Sequence, residues 1–250
     1  MLVSIITPSY NSSLQILETY ESIKNQTYTK WEWLITDDCS TDDTFTMLQE
    51  MALNDSRIRI FKNEVNSGAA VTRNVSISNA TGKYIAFIDS DNFWKPEKLE
   101  RQVKWMSHNK MEMTFTHYEI VNEVGEPTGQ VVDTHMEVDP VSYEDMLRKK
   151  ATLGCSTVMI DRELLGDIRM PVIKTTEDYA LWLSILKTGV LAYPVNRVLT
   201  SYRILPNSLS RNKIKKAKTQ WTVYREFENL TLPKAIECFC FYAYRAVFRK

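Results

Sequence analysis

Apolar residues concentrate along this chain in short strand-length stretches, separated by segments whose apolar positions recur at helical spacing. Leu2 to Thr7 reads as a buried strand stopped by Pro8, and Trp31 to Thr36, Arg57 to Lys62 and Tyr84 to Ile88 repeat the pattern. Between them the spacing predicts three helices. The first is N-capped by Ser12 or Ser13 and carries Leu14, Ile16, Leu17 and Ile23 on one face. Thr41 to Leu53 and Asn66 to Ala80 supply the other two. This β-α-β-α-β-α-β order predicts an α/β fold, a mostly parallel sheet with helices on both faces.

After Pro96 a helix is expected to about Asn109, then extended segments at 113–121 and 130–133 around an Asn122–Gly129 turn. A helix at Tyr143 to Arg148, a strand at Ser156 to Ile160, a helix at Glu177 to Leu186 and an extended stretch from Leu191 to Tyr202 complete the reading. No repeat, low-complexity segment or linker divides the chain.

In parallel sheets of this kind ligands sit outside the carboxyl ends of the strands. The polar clusters at 8–11, 37–43 and 89–92 all fall there. Tyr84 to Ile88 runs into Asp89-Ser90-Asp91-Asn92, and alternation along an extended chain points Asp89 and Asp91 the same way. Two adjacent acids suit a hard divalent cation that shares its oxygen ligands with phosphate. A turn or a helix cap is the alternative for an isolated D-x-D.

Composition narrows the function classes. With 31 basic and 31 acidic residues in 250, the net charge is zero, which argues against a nucleic-acid binder. The charge is uneven, however. Residues 211–250 hold ten Lys/Arg against three Asp/Glu, so the first 210 carry 21 against 28. Such an asymmetry points the tail at an anionic surface. Cys39, Cys155, Cys238 and Cys240 show no C-x-x-C spacing and no disulfide framework, which suits a reducing compartment. The N-terminus enters a strand pattern at once, so a cytoplasmic protein is expected. His108, His117 and His135 lack metal-ligand spacing, and packed or surface roles are expected for them.

Five ordered motifs carry a family resemblance over residues 1 to about 205. They are Thr7-Pro8-Ser9-Tyr10-Asn11; Asp37-Asp38-Cys39-Ser40-Thr41-Asp42; Asn66-Ser67-Gly68 running to Arg73-Asn74; Asp89-Ser90-Asp91; and Glu177-Asp178-Tyr179 with Trp182. Together they resemble a family 2 glycosyltransferase with the GT-A fold, of the kind that builds bacterial surface polysaccharides. Thr72, Cys39 and Asn92 depart from the usual pattern, where Ala, Gly or Ser, and a third acid are more common.

The resemblance implies a Rossmann-like sheet with a nucleotide-binding half at 1–95, an acceptor-binding half at 96–205 and a helical C-terminal extension at 206–250. It implies an inverting, metal-dependent transfer from a nucleotide-diphosphate sugar, most often a UDP-sugar, to a hydroxyl of a glycan or lipid-linked oligosaccharide. Pro8, Tyr10, Asp38, Arg73 and Asp89 match nucleotide-binding positions, and Asp91, with Asp89, the positions that hold Mn²⁺ or Mg²⁺. Asp178 matches the general base, and Glu177 and Trp182 fall where an acceptor binds. Each has a plainer alternative. Asp38 would cap the helix near Thr41, Arg73 would form a surface ion pair, and Glu177 and Asp178 would complement a helix dipole. Trp182, one turn beyond Asp178, either stacks on an acceptor sugar or packs in the core.

Tyr202-Arg203 with Ser208 and Ser210 resembles the segment that closes over the donor diphosphate. Beyond it, five basic residues from Arg211 to Lys218 precede Trp221, Tyr224 and Phe227, and an apolar stretch from Ala235 to Phe248 ends in Arg249-Lys250. An aromatic helix with flanking cations suits contact with the inner face of a membrane. Packing on the catalytic domain, or on a second copy in a homo-oligomer, is the alternative. Two other functions compete. A nucleotidyltransferase would carry a Gly-rich basic N-terminal loop, and TPSYNSS is neither. A catalytically silent sugar-nucleotide or glycan-binding module has no need of both Asp91 and Asp178.

Overall fold

The computed structural model describes residues 1–134, 139–173, 176–205 and 213–248. His135, Ser208, Ser210, Arg211, Arg249 and Lys250, all weighed from the sequence, lie outside the described residues. Strands β1 (Val3–Ser9), β2 (Trp31–Asp37), β3 (Ile58–Lys62) and β4 (Tyr84–Phe87) are parallel, in the spatial order β3-β2-β1-β4. Helices α1 (Ile16–Lys24), α2 (Thr44–Asn54) and α3 (Ala69–Ser78) make the crossovers. The sheet continues past β4 through β8 (Met159–Asp161), β6 (Met113–Val121), β9 (Ala192–Arg203) and β5 (Phe93–Trp94), while β7 (Pro127–Val132) pairs with β6. β8 is antiparallel to both of its neighbours, and β6 and β9 are parallel.

Alternation along the strands loads both faces of the sheet. Val3, Ile5, Trp31, Trp33 and Ile35 join a core with α1, α2 and α4 (Lys98–Asn109). Ile6, Leu34, Ile85 and Phe87 point the other way, into a core with α3, α5 (Tyr143–Leu147) and α7 (Glu177–Leu186). A short α6 (Arg162–Leu165) follows β8, and α8 (Lys213–Thr222) and α9 (Leu232–Phe248) close the chain.

Two local readings need correction. Pro8 does not stop β1, which runs on to Ser9. Ile6 O accepts from Ile88 N on the β4 side, so alternation turns Pro8 to that same side, where pairing has ended at Ile6–Phe87. Its missing N–H therefore costs the ladder nothing. The first helix is not capped by Ser12 or Ser13: α1 starts at Ile16, with Gln15 at its N-cap. Its buried face is Ile16, Thr19, Tyr20 and Ile23, while Leu14 and Leu17 are 89% and 51% exposed.

The C-terminal helices share the domain core. Val223 and Tyr224, in a π-helical turn after α8, and Ala235 and Cys238 of α9 sit in one cluster with Met146, Tyr179 and Leu183. The Tyr224 hydroxyl donates to Leu147 O at 2.5 Å, and buried Glu228 accepts from the Tyr143 hydroxyl and from Lys187 Nζ at 2.9 Å. Packing on the protein thus accounts for the inner face of α9. Leu232, Ile236, Cys240 and Tyr244, four residues apart, are exposed on its outer face. Among the described residues, no helix is long and apolar enough to cross a membrane.

Candidate active site

The carboxyl ends of β1, β2 and β4 open into a cavity of about 410 Å³ whose lining includes Pro8, Tyr10, Asp38, Arg73, Asp89 and Asp91. All six residues expected to hold nucleotide or metal are therefore brought together. Tyr10, 48% exposed, offers its ring at the rim.

Asp38 follows β2 and organises the turn before α3. Its carboxylate accepts from Asn63 Nδ2 at 2.7 Å, Ser67 N at 2.8 Å and Gly68 N at 2.8 Å. Burial by itself would raise its pKa, but these donors outweigh it and hold the group ionised below the usual carboxylate value. Gly68 has φ +83°, a conformation that favours glycine, and the chain turns into α3 there while its N–H donates to Asp38. Asp38 does not cap the helix near Thr41; its carboxylate holds the turn that leads into α3 instead. The start of α2 is held by Asp42, which accepts from the Thr44 N–H and hydroxyl and from Ser13 N.

Arg73 projects from α3 and is buried. One guanidinium nitrogen donates to Asp89 Oδ1 at 2.6 Å and another to Glu177 Oε1 at 2.6 Å. A surface ion pair is excluded: this is an enclosed two-armed bridge between the turn after β4 and the start of α7.

Asp91 stands beside Asp89 at the mouth of the cavity. Burial, then the neighbouring carboxylate, pushes its pKa up to about 7, so a positive charge at this point would be strongly favoured. Two hard oxygen donors facing a cavity fit a Mg²⁺ or Mn²⁺ that completes its shell with water and phosphate. Among the described residues no cluster of three or more acidic, His or Cys side chains offers a self-sufficient cage.

The scaffold of this turn was not visible from the motif. Asn92 is fully buried and donates to Ser156 Oγ at 2.9 Å while accepting from Arg203 N at 2.9 Å. Arg203 Nε donates to Asp91 O at 2.8 Å, and its guanidinium also reaches Glu123 O and Glu18. The expected closing arginine is instead a buried clamp under the D-x-D turn. Thr19 of α1 donates to the carbonyls of Ser90 and Asn92 at 3.0 and 2.8 Å.

Glu177 and Asp178 open α7, behind Arg73 and outside the lining of the cavity. Burial and the adjacent Glu177 push Asp178 up to about 6. Glu177 is committed to Arg73. Trp182 requires a correction: it is fully buried, donates Nε1–H to Leu153 O at 3.1 Å and meets Phe87 edge-on at 5.4 Å. It packs the core and presents no face to an acceptor. His117 is likewise packed, at 2% exposure.

Known proteins resemble this chain in sequence and in fold. The family described as "Glycosyl transferase family 2" matches residues 4–167. A protein named putative teichuronic acid biosynthesis glycosyltransferase TuaG, from Bacillus subtilis (strain 168), is 45% identical over 249 residues, covering 100% of this chain and 97% of that protein. The Escherichia coli protein WfgD is 40% identical over 228 residues, covering 90% of this chain and 86% of its own length. Its name is UDP-Glc:alpha-D-GlcNAc-diphosphoundecaprenol beta-1,3-glucosyltransferase. The crystal structure of S. aureus TarS 1–349 with UDP superposes with a TM-score of 0.73 at 22% identity, covering 98% of this chain and 71% of that one. At that identity the likeness speaks for the fold alone.

Proposed function

The chain belongs to glycosyl transferase family 2, and from that premise we propose that it moves a sugar, with inversion, from a UDP-sugar to a hydroxyl of a lipid-linked oligosaccharide during surface-polysaccharide assembly. The observation that carries this reading is the convergence of Asp38, Arg73, Asp89 and Asp91 on one cavity, with Asp178 behind Arg73.

In this reading the base and ribose lie against Pro8, Tyr10 and Asp38. Tyr10 supplies a ring face, and Asp38, already ionised, accepts an N–H of the base with the lone pairs its turn leaves free. Asp91 and Asp89 hold Mg²⁺ or Mn²⁺, which when bound neutralises charge on the departing diphosphate. Asp178 accepts the proton of the attacking hydroxyl. Its raised pKa suits that task, because a base near neutrality is ionised in use yet takes a proton readily. Glu177, held by Arg73, positions the start of α7 rather than touching the acceptor.

The names of two relatives, one acting on a diphosphoundecaprenol-linked sugar, support a lipid-linked acceptor here. A lipid-linked acceptor would place the work at a membrane surface, in this reading the cytoplasmic face, with the outer stripe of α9 in contact with it. A second reading, the silent binding module, is disfavoured because such a module has no need of both Asp91 and Asp178.

The test is thermal stabilisation by a panel of nucleotide sugars with Mn²⁺ or with EDTA. Stabilisation by one uridine compound, lost with EDTA and in Asp91→Ala, is the expected result. Stabilisation that persists in Asp91→Ala with EDTA present would remove the metal from the proposal. No response to any uridine compound would remove the donor class.

A further inference from the structure

Outside the donor cavity the molecule carries a second, larger depression of about 560 Å³ between α4 and the first half of β9. Its lining is Arg101, Lys104, Trp105, His108, Pro194, Val195, Asn196 and Arg197. Four of these, at positions 101, 104, 105 and 108, have the i, i+3, i+4, i+7 spacing of one helix face. That face is not the core face of α4, which is Leu99, Gln102, Val103 and Met106.

The depression has a graded make-up. Of the residues from β9, Pro194 and Val195 are buried and apolar, while Asn196 and Arg197 are exposed. Trp105 is 43% exposed. No acid lines the depression among the described residues, although the first 210 residues carry an excess of acid. Arg101 is shared with Glu97 through an exposed i,i+4 pair, a contact worth little and easily exchanged. Lys104 and Arg197 form no ion pair among the described residues. Two arginines, a lysine and a histidine thus line the same depression as a half-exposed indole.

We propose that this depression binds an acidic oligosaccharide, one whose sugar rings carry carboxylates. The indole face of Trp105, with Pro194 and Val195 in the same lining, receives the apolar face of a pyranose ring. The forked guanidinium groups of Arg101 and Arg197 bind carboxylates in a bidentate way, and Lys104 adds a point charge. A membrane is a poorer occupant. Trp105 is the one exposed large hydrophobic residue of this patch, and a lipid surface needs a broader apolar contact. α4 also covers the sheet face opposite to the one covered by α9.

β9 joins the two sites. From Val195 it runs to Tyr202, which lines the donor cavity, seven residues away or roughly 20 Å at strand rise. The depression is therefore a remote hold on a chain several sugars long and takes no part in the chemistry. It does not depend on the donor-site reading.

The experiment is titration of the full chain with hexagalacturonate, with neutral maltohexaose and with phosphatidylglycerol vesicles, at two salt concentrations. Hexagalacturonate is expected to bind at least tenfold more tightly than maltohexaose, with an affinity that falls as salt rises. Trp105→Ala and Arg197→Ala are each expected to weaken it at least tenfold, with circular dichroism and melting temperature unchanged. Equal affinity for the two sugars, no binding, or binding untouched by both variants would overturn the proposal. So would vesicle binding that both variants abolish while hexagalacturonate binding persists.

Discussion

Arg73 balances the charge of the site. Its two arms meet carboxylates that are 16 and 104 residues away in sequence, and its own side chain is 6% exposed. Removing one partner of such a bridge leaves buried carboxylates uncompensated, a loss of about 3–5 kcal/mol. Arg73→Gln is therefore expected to lower the melting temperature by about ten degrees or more and kcat/KM by at least about a hundredfold, read by calorimetry and a transfer assay. Arg73→Lys places one ammonium where a fork spanned two acids. It should recover more of the stability than of the rate, and equal recovery of both would refute the bridging role. Asp178 gives a second residue-scale outcome. With its pKa raised to about 6, the folded state binds this proton more tightly than the unfolded chain does. The associated stability is present at acid pH and lost as pH rises through about 6, and the proposed base would become active over the same interval. At pH 5 the rate should be about a tenth of its plateau near pH 8. Asp178→Asn should lower kcat by about 10²–10⁴-fold and, above pH 6, unfold at a higher temperature than the native protein. A near-normal kcat in that folded variant would remove Asp178 as the base.

At the scale of elements, β1, β2 and β4 were readable because they are covered on both faces and therefore mostly apolar. The D-x-D and its companion motifs were readable because parallel topology gathers strand ends. What stayed hidden was decided by partners distant in sequence. Leu17 fits the periodicity of α1 as well as Tyr20 does, yet only contact with the sheet selects the face holding Tyr20, which stacks on Trp33 at 5.8 Å. Trp182 shares a helical face with Asp178, but Phe87 and Leu153 occupy the side its ring turns to. The departures from the family pattern make sense only in three dimensions. Asn92 must both donate and accept, which an acid cannot do when ionised, and Cys39 sits at φ +62°, where glycine is unstrained. The same applies to the tail, whose composition suggested an appendage but whose inner face completes the core around α7. Ending the chain at residue 205 would expose Met146, Tyr179 and Leu183 together. The truncated protein is expected to be insoluble or to melt far below the full chain, and an unchanged melting transition would show the tail to be dispensable. Tyr224→Phe, which deprives Leu147 O of its hydroxyl donor, should cost about 1–3 kcal/mol in denaturant unfolding.

For the whole molecule, the two faces of the sheet present different surfaces, and this bears on how a protein of zero net charge would meet the lipid-linked acceptor proposed for it. The α4 face carries the cationic depression, with one exposed indole. The opposite face carries α9, whose outer side shows Leu232, Ile236, Phe241 and Tyr244, within a segment holding ten basic residues against three acidic. A planar membrane can lie against only one of these, and the apolar stripe of α9 is the broader. Because the inner side of α9 is committed to the core, deleting the helix would confound binding with unfolding. Point changes on the outer stripe avoid that. Ile236→Glu and Tyr244→Glu should leave the melting temperature within about two degrees of the native protein, since both side chains are exposed. The native chain is expected to pellet with phosphatidylglycerol vesicles near 0.1 M salt, less so with neutral phosphatidylcholine and less again at 0.5 M, because its cations are screened beyond a few ångströms there. Each Glu variant should lose most of that pelleting. If the native chain and both variants pellet equally, α9 is not the contact, and the enzyme must reach its acceptor from solution or through another surface.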